Sequence, residues 1–200
     1  MTNDVSDRLL KAADTLFSEK LYHEVTTRML ADEAGTSAAM IKYYYSGKLG
    51  LYEAVLREKL NFVVEIVKQS GDDFLQGKSM SSFHSLLELL YEHRGILKLI
   101  NRVVIYKDGP GYALVKEYWD IERANVKHAH KAAEAAGMSA PNLDPDILRI
   151  VGMSLVTYPL LSMDLIESQI GKDNIKSFLS NYADFVNNMY TEAVMNKGAD

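Results

Sequence analysis

Thr26-Thr27-Arg28-Met29-Leu30-Ala31-Asp32-Glu33-Ala34-Gly35-Thr36-Ser37-Ala38-Ala39-Met40-Ile41-Lys42-Tyr43-Tyr44-Tyr45-Ser46-Gly47-Lys48 is the stretch that decides the fold. It reads as a short helix over Thr27 to Ala34, a turn at Gly35-Thr36-Ser37, and a second short helix over Ala38 to Tyr45. Two helices joined by a short glycine-containing turn form a helix-turn-helix. The capping pair Thr26-Thr27 opens the first helix, and Gly35 suits a tight turn with positive φ. Ala31 is small where the two helices must cross closely. Ser37 caps the second helix, so that its first N–H groups point outward. Ala38, Ala39, Met40 and Lys42 are then available to a DNA major groove, because the start of a recognition helix meets base edges.

The helical period continues in both directions from this stretch. Before it, Leu9, Leu10, Ala13, Leu16 and Phe17 form a stripe at three- and four-residue spacing, which predicts a helix over Asp7 to Lys20 capped by Ser6 or Asp4. After it, a helix is expected from Lys48 to about Ser70, then a polar hinge over Ser70 to Lys78. Further helices are expected over Ser79–His93, Ile96–Tyr106, Pro110–Ala136, Asp144–Gly171 and Asn174–Met195. Pro110 suits a first helical turn. Gly95, Gly137 and Gly171 read as stops, and Pro159 should kink or break its helix near Tyr158. No alternation of period two persists. The chain is read as all-α, with about nine helices: a three-helix DNA-binding module over residues 1–50, helix four (about 48–70) as connector, and a second helical domain over 71–200.

Composition narrows the function. The 200 residues include no cysteine, which excludes disulfides, cysteine-ligated metals and a thiol nucleophile. No apolar run approaches the about eighteen residues that cross a bilayer, and the polar start lacks a signal-peptide pattern, so a cytoplasmic protein with no membrane partner is expected. The net charge of −5 speaks against nucleic acid until it is divided along the chain. Residues 1–59 hold eight basic and nine acidic side chains, and residues 35–50 hold Lys42 and Lys48 with no acid at all. Phosphate contacts depend on charges at the groove rather than on the whole chain. Thr27, Arg28, Tyr43, Tyr44 and Lys48 add cations and hydroxyls in the same region.

Leu9-Leu10-Lys11-Ala12-Ala13-Asp14-Thr15-Leu16-Phe17 resembles the first helix of TetR-family transcriptional regulators. Thr26 to Ser37 resembles their second helix and turn, and Ile41-Lys42-Tyr43-Tyr44-Tyr45-Ser46-Gly47-Lys48-Leu49-Gly50-Leu51 is similar to their recognition helix and the start of helix four. The likeness covers about fifty residues without a gap. Leu21, Lys42 and Tyr45 depart from the usual residues, and Gly47-Lys48-Leu49-Gly50 replaces the commoner Ser/Asn-Lys-Glu-Ala. The resemblance implies that Thr27, Arg28, Thr36, Ala38, Ala39, Tyr43, Tyr44 and Lys48 face DNA, with Tyr43 and Lys48 mainly on phosphates. It also implies a homodimer, an inducer pocket in the C-terminal domain, and usually repression.

The later helices carry weaker signals. Phe83, Leu87, Tyr91, Val103, Tyr106, Tyr112, Tyr118, Trp119, Glu122, Met153 and Tyr158 are either core or the wall of a mostly apolar cavity with a few polar anchors. The Asp144–Gly171 run is apolar on more than one side and must be covered twice. The last helix has a clean apolar stripe. In the family these two helices form the dimer interface, which here implicates Ile150, Leu155, Leu161, Phe178, Tyr182, Phe185 and Met189. His128 and His130 point to different helix faces, and neither a metal nor a cofactor is expected. No P-loop, nucleophile elbow, dinucleotide fingerprint or HExxH occurs, which leaves no enzyme signature. The sequence therefore points to a ligand-responsive DNA-binding regulator, released as a repressor from a palindromic operator by a small, largely apolar molecule. The alternative is a dimeric helical interaction or ligand-carrier module without DNA binding.

Overall fold

The computed structural model describes residues 3–75, 79–135 and 144–195. Among the described residues the chain forms ten α-helices and one 3-10 turn, with no strand. They are α1 (Asn3–Glu19), α2 (Thr27–Glu33), α3 (Ala38–Tyr45), α4 (Lys48–Leu75), α5 (Ser79–Glu92), α6 (Arg94–Ile105), α7 (Tyr112–Ala135), α8 (Pro145–Leu161), α9 (Met163–Ile170) and α10 (Ile175–Met195), with the 3-10 turn at Lys172–Asn174. Contacts divide the chain into two compact units. One holds Met1–Val63 with Lys98–Trp119, the other Val64–Leu97 with Asp120–Asp200.

In the first unit α1, α2 and α3 pack on one another, and Leu9, Ala13, Phe17, Leu30, Ile41, Leu51 and Leu56 are buried. Helix α1 begins at Asn3, so Asp4 and Ser6 lie within it rather than capping it. The Ser6 hydroxyl instead sits 2.9 Å from that of Tyr45, whose phenol also donates to the Ser6 carbonyl. The end of α1 leaves carbonyls that no later helical N–H can reach. Arg102, on α6, donates to three of them or their neighbours: Phe17 O at 3.3 Å, Lys20 O at 3.2 Å and Ser18 O at 2.6 Å. Helix α4 shows no break at Ser70; it runs on to Leu75, and the remainder of the expected hinge lies outside the described residues. Gly95 does not stop a helix, since it falls in the first turn of α6, and Pro110 precedes the first residue of α7. Gly137 lies outside the described residues.

The second unit is built on α5, α8, α9 and α10, whose Leu87, Leu90, Val156, Leu160, Met163, Ile175 and Leu179 form one buried cluster. The run expected as one helix is two, α8 and α9, bent by 59°. No single helix among the described residues is long and apolar enough to cross a membrane, and only this bent pair passes by length and composition. The break falls at Ser162 and not at Tyr158: α8 continues through Pro159. A proline within a helix removes the donor for the carbonyl four residues earlier, here Leu155 O. The Tyr182 phenol of α10 supplies the missing donor at 2.7 Å. Burial pushes that phenol's pKa up. Arg123 and Asp146 add a two-bond ion pair of 2.7 and 2.6 Å, and Arg123 with Lys127 holds the Asp146 carboxyl well below the usual carboxylate range.

Tyr182→Phe leaves the Leu155 carbonyl without its partner and is expected to lower stability in urea unfolding by about 1–2 kcal/mol. Pro159→Ala in the same chain returns a backbone N–H to that carbonyl. The double variant is then expected to recover most of the loss, and a simple sum of two losses would show that the pairing does not matter.

Candidate nucleic-acid interface

Local sequence sets the helix-turn-helix. Thr26, extended at φ −99°, caps α2 by accepting the Met29 N–H at 3.1 Å. The turn closes through Gly35 N to Asp32 O at 3.2 Å and Thr36 N to Ala31 O at 2.9 Å, with Gly35 at φ +59°. A residue with a Cβ is strained there. Ala31 is buried between the helices. Ser37 occupies the N-cap position of α3 in extended conformation, but its side chain makes no capping bond.

Ile41 turns into the core, which fixes the rotation of α3. Ala39 and Tyr43, two residues either side of it, are therefore exposed on the opposite side, with Lys42 exposed between the two faces and Ser37 and Ala38 exposed at the start of the helix. Met40 and Tyr44 are half-buried beside them, as is Thr36, while Thr27 and Arg28 are exposed on α2. Tyr43 is 75% exposed, and its ring meets that of Tyr44 edge-on at 4.9 Å, which limits its motion. Of the three consecutive tyrosines, Tyr45 donates its hydroxyl to the Ser6 carbonyl of α1. Arg28 lies 3.7 Å from Asp32 on the same exposed face, so its charge is shared in the absence of a phosphate.

Lys48 is placed differently from a free surface cation. Its Nζ donates to Tyr22 O at 2.8 Å and Val25 O at 2.7 Å and lies 4.0 Å from the centre of the Tyr22 ring. Partial burial pushes its pKa down. An ammonium has three N–H groups, so one remains for an acceptor outside the chain. Gly50 follows because α4 starts hard against the end of α3: a Cβ there would run into the Tyr45 carbonyl oxygen.

The residues read as core or cavity wall are divided between the two units. Val103, Tyr106, Tyr112, Tyr118 and Trp119 belong to the first unit; Phe83, Leu87, Tyr91, Glu122, Met153 and Tyr158 belong to the second. Leu87 is core, and Phe83 packs half-buried against it. Tyr91 donates to Glu167 at 3.0 Å and Tyr118 to Asn61 at 2.5 Å. Arg149 bonds both Glu122, at 2.7 Å, and the Met153 sulfur, at 3.7 Å. Tyr112 and Trp119 are half-buried. Tyr158 is 73% exposed. Val103 and Tyr106 do line a cleft of about 390 Å³, together with Tyr22, Tyr52, Lys20 and Arg102, which the sequence did not single out. The signal for Arg102 is a cation next to Val103 and three residues from Leu99, at the edge of the apolar stripe of α6, which also carries Arg94 and Lys98.

On the second unit, Ile147, Ile150, Val151 and Tyr158 point outward along one side of α8 at spacings of three, four and seven, and Phe185 and Met189 do so one turn apart on α10. Phe185 is 66% exposed. Leu155, Leu161, Phe178 and Tyr182 are half-buried beside the core.

Residues 9–55 match the family model described as bacterial regulatory proteins, tetR family. The chain is 27% identical over 155 residues, 71% of each protein, to the HTH-type transcriptional repressor KstR2 of Mycolicibacterium smegmatis. A crystal structure assigned to the TetR family from Mesorhizobium loti superposes with a TM-score of 0.70 at 17% identity, covering 96% of both chains. The regulator FadR of Bacillus subtilis, solved with stearoyl-CoA, gives 0.70 at 13% identity over 94% of this chain and 98% of that one.

Two side chains at this surface separate stability from recognition. Lys48→Met removes both bonds to the 22–25 segment and is expected to cost about 1–3 kcal/mol in urea unfolding without any DNA present. Gly50→Ala is expected to cost about as much through the clash with Tyr45. Tyr43→Phe, whose hydroxyl is exposed, is expected to leave the unfolding midpoint where it was. The matched helix-turn-helix, the relative and the shared all-helical fold agree with the sequence resemblance to TetR-family helix-turn-helix transcriptional regulators.

Proposed function

We propose that this chain acts as a homodimeric repressor that leaves its operator when a small molecule binds. The observation that carries the DNA-binding part is the exposed start and outer side of α3, where Ser37 and Ala38 open the helix and Ala39, Lys42 and Tyr43 follow on the sides that the buried Ile41 leaves open. Ala38 and Ala39 are short enough to let the helix backbone approach base edges and thymine methyl groups. Thr27, Arg28, Tyr43, Tyr44 and the third N–H of Lys48 take phosphates, with Thr36 and Met40 at the edge of the contact. Residues 1–50 then form the reading module, and 71–200 carry the partner face and an inducer pocket.

The outward apolar side chains of α8 and α10 support pairing of two copies through these helices, since a patch of this kind on one chain ordinarily marks an interface. Such a pair would present two copies of α3 about 34–36 Å apart, or a multiple of that, on a near-palindromic site. The repressor named among the relatives and the acyl-CoA held by the FadR structure support repression and a mostly apolar inducer with a polar end. The inducer must bind the released state more tightly than the DNA-bound state to shift the balance.

Footprinting on DNA flanking the chain's own gene tests the reading. A protected palindrome is expected, with affinity reduced by about 1–3 kcal/mol in Arg28→Ala and by less in Tyr43→Phe. With few cations at the surface, the slope of log affinity against log salt is expected to be shallow, each lost phosphate contact reducing it by about 0.9. No protection at moderate salt, with retained dimers, would favour the interaction or carrier module. Phe185→Glu is expected to give monomers in sedimentation while the helical content stays; an unchanged dimer would remove the α8–α10 pairing.

A further inference from the structure

The cleft of about 390 Å³ in the first unit lies against the segment that leads into α2. It falls in the size range of small-ligand sites, about 300–1,000 Å³. Three tyrosine rings, Tyr22, Tyr52 and Tyr106, and the aliphatic Val103 give it apolar walls. Tyr22 and Tyr52 are fixed by each other at 4.9 Å and by Phe17 at 5.9 and 4.7 Å, so two of the walls are set before any ligand arrives. The polar side of the cleft is cationic. Lys20 and Arg102 line it, and no carboxylate does, in a chain whose net charge is −5. The guanidinium field reaches the ring hydroxyl of Tyr52, whose pKa it lowers against a burial that pushes it up to about 12.

We infer that this cleft binds a small aromatic carboxylate, its ring between Tyr22, Tyr52 and Tyr106 and its carboxylate on Lys20 and Arg102. Aromatic walls favour a flat apolar body in offset or edge-on packing. A guanidinium beside a lysine favours a carboxylate over a neutral group. Arg102 gives the ligand leverage. Three of its donor contacts hold Phe17 O, Ser18 O and Lys20 O, and Lys48 holds Tyr22 O and Val25 O of the same segment. An anion that draws on Arg102 competes with the carbonyls that keep the end of α1 closed. That consequence would reach DNA only through the reading proposed above, but the binding itself does not depend on it.

Isothermal titration of the full chain with phenylacetate, in the absence of DNA, tests the site. Saturable binding of one molecule per chain is expected, with the neutral analogue 2-phenylethanol weaker by about tenfold. Lys20→Glu and Tyr106→Ala, both at the rim, are each expected to weaken phenylacetate by at least about fivefold, and Tyr158→Ala in the second unit to leave it unchanged. Hydrogen exchange with saturating phenylacetate is expected to change in peptides covering 17–25 and 99–106 and to stay the same over 147–161. Absence of saturation by about 10 mM overturns the proposal. So do equal affinities for phenylacetate and phenylethanol, unchanged affinity in both rim variants, or exchange changes confined to other segments. A chain that takes phenylacetate here but protects no operator upholds this site and removes the DNA-binding reading instead.

Discussion

The end of α1 is a set of backbone carbonyls that no helix can satisfy, and two cations from distant parts of the chain close it. Arg102 takes Phe17 O, Ser18 O and Lys20 O; Lys48 takes Tyr22 O and Val25 O. Buried or half-buried carbonyls left open cost about 1–3 kcal/mol each, so this segment holds its path only while both cations stay in place. Everything that could read a groove depends on that path. Residues 20–25 deliver the chain to the Thr26 cap of α2, α2 carries α3 through the Gly35 turn, and Lys48 opens α4 directly behind α3. One end of this support stands on α4 and the other on α6, so a displacement of α6 is felt at the end of α1 through hydrogen bonds rather than through general softness.

The second unit solves a similar problem by other means. Pro159 within α8 removes a donor, and α10 returns it through the Tyr182 phenol. A break was expected at Tyr158 because the sequence shows the missing donor and cannot show a replacement that comes from 23 residues further along. The chain instead bends at Ser162, between α8 and α9. Over residues 70–75 helix stands where the hinge was expected to begin, while 76–78 lie outside the described residues. Gly71 and the acids after it weaken a helix without forbidding it, and α4 runs on to Leu75.

Legibility therefore follows range. The α2–turn–α3 segment could be read residue by residue because its determinants, Thr26, Ala31, Gly35 and Ile41, act over one or two turns. The match of residues 9–55 to a family model has the same origin. The support for that segment was not legible. Arg102 sits 82 residues or more beyond the carbonyls it holds, and an arginine on a helix that also carries Arg94 and Lys98 is otherwise read as a solvated side chain. For the eleven aromatic, aliphatic and polar residues the sequence left core and cavity wall open, because bulky residues line cores and cavities alike. Leu87 is core, Tyr158 is outward, and Tyr118 and Tyr91 spend their hydroxyls on neighbours.

Charge shows how few contacts the reading surface has to rely on. Lys42 is exposed at the recognition helix, Arg28 is 3.7 Å from Asp32, and two of the N–H groups of Lys48 are already donated within the chain. A phosphate at Arg28 competes with a carboxylate that is itself exposed and weakly held, so the exchange costs little. At Lys48 it must use the remaining N–H without loosening the 22–25 segment. The net −5 of the chain adds a diffuse repulsion that salt screens beyond about 10 Å. Nonspecific attraction to DNA is small under those conditions. What remains for the proposed reading is shape: two alanines at the start of α3 and a tyrosine held edge-on against its neighbour beside them.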